Sequence, residues 1–190
     1  MKKALLLTLS AFLFFTACAK KEPSLQEQSG INLPDWILDP YVEGKIAAVG
    51  IAPKSKGGFQ FQIPQAEADA RANIAAQLNT EVSRLTKNAL RAARIAEQEE
   101  VENVFSQVTK NLIKKVPLRG ARRINIYVDP DKGDLYVHMA LDNEMILTHF
   151  EKSQDVYAQA LKNASLSRKS LDNAQDAVKE LYDELDKELQ

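Results

Sequence analysis

The sequence predicts an α+β fold: a small three-stranded antiparallel sheet packed on a long helix in β-α-β-β order, plus a long C-terminal helical extension. Three observations predict it. Apolar residues recur at spacings of three and four from Ala66 through Ile74, Leu78, Val82 and Leu85 to Ala89, the stripe of a helix with one buried face. Two alternating runs, Ile124-Ile126-Val128 and Leu135-Val137-Met139-Leu141, flank Asp129-Pro130-Asp131-Lys132-Gly133-Asp134, which is the pattern of a hairpin. From Asn143 onward the spacing is helical again.

The first residues read as an export signal. Lys2 and Lys3 precede an almost wholly apolar stretch from Ala4 to Phe15, and small residues Thr16 and Ala17 follow. The stretch is shorter than the roughly 20 residues a membrane-spanning helix needs. Phe15-Thr16-Ala17-Cys18 resembles the lipobox of bacterial lipoproteins, which places cleavage between Ala17 and Cys18 and lipid on Cys18. Cys18 is the one cysteine of the chain, so no intramolecular disulfide competes for it. Two or more fatty chains, at about 0.8 kcal/mol per buried methylene, anchor a protein without help from its surface. Ala19, in place of Asp, favours the outer membrane by resemblance to the enterobacterial sorting pattern. Residues 1–17 are therefore expected to be a signal peptide and residues 18–32, polar and without periodicity, a flexible tether.

The folded part is expected to span residues 33–142 and to start at Leu33-Pro34-Asp35-Trp36-Ile37-Leu38. Lys45 to Ala52 reads as a strand with Val49 and Ile51 on one face, and Lys54-Ser55-Lys56-Gly57-Gly58 as a loop. Pro64 suits the first position of the long helix. A second stripe (Val101, Val104, Phe105, Val108, Leu112, Ile113, Val116) is out of phase with the first, which favours a break near Ala96 to Glu100 over one continuous helix. Pro117 and Gly120 end the helical region. Residues 143–190 would run about 70 Å as one straight helix. Ser165 to Ser170 is a candidate joint. The weak heptad of this segment makes Leu171, Val178, Leu181 and Leu185 candidate contacts of a weak coiled coil between copies. Folding back onto its own domain is the alternative.

The 25 basic and 26 acidic residues give a net charge of −1, with nothing to suggest a nucleic-acid partner. Lys110, Lys114, Lys115, Arg119, Arg122 and Arg123 form the one basic cluster. Lysines ending a helix complement its dipole, which accounts for several without function, and Lys114, Lys115, Arg119, Arg122 and Arg123 are candidate contacts for an anionic ligand. His138 and His149 are the only histidines, and neither belongs to a metal-ligand pattern. His138 is expected at the surface, on the strand face opposite Val137 and Met139. Asp129, Asp131 and Asp134 do not match a calcium loop: counting from Asp129, glycine falls fifth and the twelfth residue is Ala140. No nucleophile elbow, phosphate-cradling loop or Cys–His pair is present, so no catalytic residue, metal or cofactor is expected.

Pro34-Asp35-Trp36, Ala48-Val49-Gly50-Ile51-Ala52, the stretch Ala66-Glu67-Ala68-Asp69-Ala70-Arg71-Ala72-Asn73-Ile74-Ala75-Ala76-Gln77-Leu78 and the strand Asp134 to Asp142 resemble the Lpp-twenty lipoprotein family. The resemblance covers about residues 33 to 142. It implies an outer-membrane lipoprotein with a small α+β domain, a surface antigen in some bacteria, whose flagellum-associated relatives form discs or rings around the motor. It implies no catalytic residues, and a structural role for Pro34 and Trp36. The expected function is thus a lipid-anchored, self-assembling structural lipoprotein, a homo-oligomer partnered by the membrane and by envelope or flagellar motor proteins. The alternative is a monomeric envelope module that binds a hydrophobic or anionic ligand through the basic cluster and Tyr127 and Tyr136.

Overall fold

The computed structural model describes residues 33–93, 95 and 98–189. The signal peptide, lipobox and tether expected over residues 1–32 lie outside the described residues. Helix α1 spans Asp35–Leu38, strand β1 Lys45–Ala52, α2 Phe59–Ala92 and α3 Gln98–Lys114. After a 3-10 turn at Leu118–Gly120 come β2 (Arg122–Val128), β3 (Leu135–Asp142), α4 (Asn143–Glu151), α5 (Gln154–Asn163) and α6 (Arg168–Leu189).

The three strands form one antiparallel sheet in the order β1-β3-β2. Register assigns the faces. Leu135, Val137, Met139 and Leu141 of β3 lie opposite Ala52, Gly50, Ala48 and Ile46 of β1, and the β3 residues are fully buried under α2. β1 presents small residues to the helix because α2 rides directly on it. A Cβ at Gly50 would collide with the Ala66 carbonyl oxygen and the Ala70 amide nitrogen, and would lie 2.8 Å from the Ala70 Cβ. Val49 and Ile51 do share a face, but it is the one turned away from α2, and Ile51 is exposed.

Helix α2 begins at Phe59 instead of Pro64. The Gly58 carbonyl accepts from the amides of Phe61 and Gln62, which starts the first turn ahead of the proline. Pro64 then lacks the N–H that would reach the Gln60 carbonyl, on an exposed residue where water can serve that oxygen. The two helical stripes do belong to two helices, with the interruption between Ala92 and Gln98 centred slightly earlier than the phase change suggested. Ile95 is buried within it.

At 34 residues α2 is about 50 Å long, longer than the sheet it covers. Its second half (Val82, Leu85, Ala89, Leu90) is the centre of a helical layer made with α3, α5 and α6. The C-terminal segment has its joints at Lys152-Ser153 and at 164–167, and the long helix α6 folds back instead of projecting. The Ser167 hydroxyl accepts from the Ser170 amide (3.3 Å) in the first turn of α6. At the far end, Asn143 Nδ2 donates to the Leu189 carbonyl (2.8 Å). Leu181 and Leu185, expected as contacts between copies, are each 1% exposed inside their own chain. Leu171 and Val178 are half-buried against the same core. The heptad stripe is therefore satisfied within the chain, which corrects the coiled-coil assignment of these four residues.

Candidate functional site

The chain enters the domain on the sheet face that α2 does not cover. Pro34 precedes α1, and its carbonyl accepts from the Ile37 amide (2.9 Å). This short helix sets the Trp36 ring parallel to the His138 ring of β3, with centroids 5.4 Å apart. His138 Nε2 donates to the Pro40 carbonyl (2.9 Å), and its Nδ1 accepts from Asn125 Nδ2 of β2 (3.3 Å). One imidazole thus ties both ends of segment 34–40 to two strands. His138 is 2% exposed, contrary to the expected surface position. Strand alternation correctly sent it away from α2, but segment 34–40 covers that face. One hydrogen bond and a ring stack, at about 1 kcal/mol each, hold the N-terminal chain to the domain, and the Asn125 bond fixes the His138 ring that makes both.

Cys18 and Ala17, the expected lipidation and cleavage residues, lie outside the described residues. The basic cluster does not assemble into one patch. Lys114 and Lys115 are exposed at the end of α3, and Arg119 is exposed in the 3-10 turn. Arg122 lies opposite Ala140 and Arg123 opposite Met139, on opposite faces of the sheet. Arg123 Nη1 is bound to Glu67 of α2 (3.2 Å). Tyr127 and Tyr136 pair across the strands on the face away from α2, with centroids 6.1 Å apart.

The other polar groups are also engaged structurally. Asp129 Oδ1 accepts from the amides of Asp131 and Lys132 in the hairpin turn, which holds this carboxyl below its usual range. Gly133 supplies the positive φ of 75° that the turn needs. His149 Nε2 donates to the Leu112 carbonyl (2.9 Å). Thr109 and Tyr157 share a buried hydrogen bond of 2.7 Å, and the Tyr182 hydroxyl donates to the Phe150 carbonyl (3.1 Å). Burial pushes the Tyr157 phenol up to about 12, partly opposed by the Thr109 hydrogen bond. Tyr182 is raised by burial first and by Tyr157 second. Both phenols stay protonated within the fold. Among the described residues, no group of three or more His, Cys, Asp or Glu side chains is placed to hold a metal ion.

Two features were not anticipated from the sequence. Asp69, Asn73 and Gln77, one helical turn apart on one flank of α2, reach the outer edge of β1. Asp69 Oδ2 accepts from the Ile51 amide (2.9 Å), Asn73 Nδ2 donates to the Val49 carbonyl (2.9 Å) and Gln77 Nε2 donates to the Ala47 carbonyl (3.3 Å). Their i, i+4, i+8 spacing was the available signal. The second feature is an open groove of about 780 Å³ lined by Lys45, Gln77, Glu81, Asn143 and Glu188, among others. Asn143 Oδ1 is buried there without a hydrogen-bond partner.

Among the described residues, no helix is long and apolar enough to cross a membrane. A family model described as LPP20 lipoprotein matches residues 34–142, which runs from the Pro34 junction to the last residue of β3. No curated protein matches the chain.

Proposed function

The chain belongs to the LPP20 lipoprotein family, and on that premise we propose that it is an outer-membrane structural lipoprotein, anchored through lipid on Cys18, that acts by assembling with copies of itself and catalyses no reaction. The observation that carries this is the family match, which begins at the residues that dock the N-terminal segment onto the sheet. A junction held by Trp36, His138 and Asn125 suits a domain that must keep its place relative to an anchor. Its histidines and buried tyrosines are committed to hydrogen bonds within the fold, which supports a scaffold role. A disc or ring around a flagellar motor is the form of assembly that the family resemblance favours.

Fractionation of cells tests the anchor. The wild-type chain is expected with the outer membrane on a density gradient, and Cys18→Ala is expected to leave it, or to stay unprocessed in the inner membrane. A fully soluble wild type would refute the anchor. For the motor assignment, a deletion strain that swims normally and keeps every motor-associated ring in electron cryotomography counts against it.

One observation favours a second reading, a module that binds a small polar ligand. Asn143 lines the groove, and its buried Oδ1 has no hydrogen-bond partner among the described residues. Mass spectrometry of gently purified protein would then show a co-purifying molecule, and its consistent absence sets this reading aside.

A further inference from the structure

The two edges of the sheet are treated differently. The β1 edge is capped by the Asp69, Asn73 and Gln77 side chains. β2 is the other edge; it pairs only with β3, and no described side chain caps its outer side in this way. An uncapped strand edge is a template for pairing with another chain, and proteins that avoid this place charge or proline along it. In β2 the charges sit at one end, Arg122 and Arg123. The stretch Ile124-Asn125-Ile126-Tyr127-Val128 carries none.

The surface beneath this edge is apolar as well. Register puts Ile126 and Val128 on the α2 side of the sheet, opposite Val137 and Leu135. Yet α2 does not cover them: Ile126 is 47% and Val128 36% exposed, while their β3 neighbours are fully buried. The Arg123–Glu67 ion pair shows which flank of α2 faces β2. On that flank, one and two turns earlier, lie Ile63 and Phe59, and Phe59 is 55% exposed.

We propose that the outer edge of β2 joins two copies of this chain, strand to strand and antiparallel, about a two-fold axis near Ile126. This deepens, and rests on, the self-assembly proposed above. Charge selects the occupant. With the axis at Ile126 and the register shift counted, Ile126 meets its own copy, Asn125 meets Tyr127, and Arg122 of one chain meets Asp129 of the other. An antiparallel neighbour of the same sequence therefore neutralises the charged end of the strand with the acidic hairpin tip. The chain's own segment 19–32 is a poorer match, being polar with Pro23 and few large apolar residues.

Symmetry supports the same choice. Antiparallel pairing in one continuous sheet requires the two-fold axis to stand perpendicular to the sheet. Both α2 helices then lie on one side, with Phe59 and Ile63 of each copy bordering the seam. Both Trp36–His138 junctions lie on the other side, so both N-terminal chains leave toward one membrane. The register shift between Arg123 and Asn125 confines regular pairing to a short stretch. Tethering on one membrane raises the effective concentration, which offsets the shortness of the seam.

The test uses the full chain in its own membranes, where lipid occupies Cys18. Cysteine is introduced singly at Asn125, Ile126 and Tyr127, with Ile51→Cys on the capped edge and Lys179→Cys on α6 as exposed comparisons. Mild oxidation is expected to give a covalent dimer on a non-reducing gel from the β2 positions, fastest at Ile126→Cys, and little from the comparisons. Ile126→Lys, which sets two like charges side by side, is expected to weaken the detergent-extracted dimer about tenfold or more by light scattering. Equal cross-linking from Ile51→Cys overturns the proposal, because random collision would explain both. Oligomers without β2 cross-links overturn this surface but leave self-assembly standing. A monomer at every concentration removes both. If the thiol of Ile126→Cys resists maleimide in a monomer, the edge is covered from within the chain, and the proposal fails.

Discussion

Replacing Gly50 by alanine tests the close approach of α2 to β1. In β1, Gly50 sits between Ala48 and Ala52 on the face under α2, opposite the fully buried Val137. A Cβ there would overlap the Ala66 carbonyl oxygen and the Ala70 amide nitrogen and press on the Ala70 Cβ at 2.8 Å. Ordinary carbon contacts need about 3.5 Å or more, so strand or helix must retreat by roughly an ångström. Where side chains can yield, overpacking costs about 1–3 kcal/mol. Here the obstructing atoms are backbone atoms of a helix also held by its hydrogen bonds to the β1 edge, so the loss should reach the upper end, about 3 kcal/mol. Gly44→Ala is the comparison. Gly44 has φ +68° and open space around its Cβ direction, so only the backbone penalty of about 1–2 kcal/mol applies. Urea unfolding followed by circular dichroism reads both, and the Gly50 variant should have the lower midpoint at an unchanged slope. A Gly50→Ala chain as stable as wild type, or more stable than Gly44→Ala, would refute the close approach of α2 to β1.

Two further outcomes follow from the helical layer. Leu185→Ala is expected to destabilise the chain by about 2–5 kcal/mol, because it removes a side chain buried in the chain's own core. The thermal midpoint should fall by the same amount at every protein concentration; a loss seen only in the oligomer would restore Leu185 to a contact between copies. Stability should also fall with alkali in a definite window. An unfolded tyrosine ionises near pH 10, whereas Tyr157 in the fold holds its proton to about 12. The folded state therefore binds more protons between these values, and stability present below pH 10 is lost as pH rises through 12, by roughly 3 kcal/mol for Tyr157. Tyr182 shifts in the same direction. Comparing urea midpoints at pH 8 and pH 11.5 for wild type and Tyr157→Phe isolates the effect, and identical pH slopes would contradict it.

The hairpin and β-α-β-β order were legible because alternation and turn chemistry are local. The Val49–Ile51 face was legible too, but not which side of the sheet it occupies. The demand of α2 for close approach gives the core side to Ala48, Gly50 and Ala52. Pro64 misplaced the start of α2, since the preceding turn is held by the Gly58 carbonyl, which composition does not reveal. His138 illustrates the general limit. Its position on the strand was readable, but its burial depends on Trp36 and Pro40, about a hundred residues away. Leu181 and Leu185 share that difficulty, because a heptad stripe has the same period whether it packs on its own chain or on another. Arg122 and Arg123 were read as one patch, but adjacent residues of a strand point to opposite faces.

The junction also bounds where the domain can work. Cys18 and Leu33 lie fifteen positions apart, a length of chain that can reach at most about 50 Å. Because Trp36 is fixed to His138, that length is measured from the sheet face away from α2, not from the helical layer. Two copies joined along β2 present this face together, whereas copies joined through α6 would bring together surfaces from the opposite layer. A flat assembly on a membrane therefore fits pairing at the edge of the sheet better than the C-terminal helix from which the sequence had suggested it.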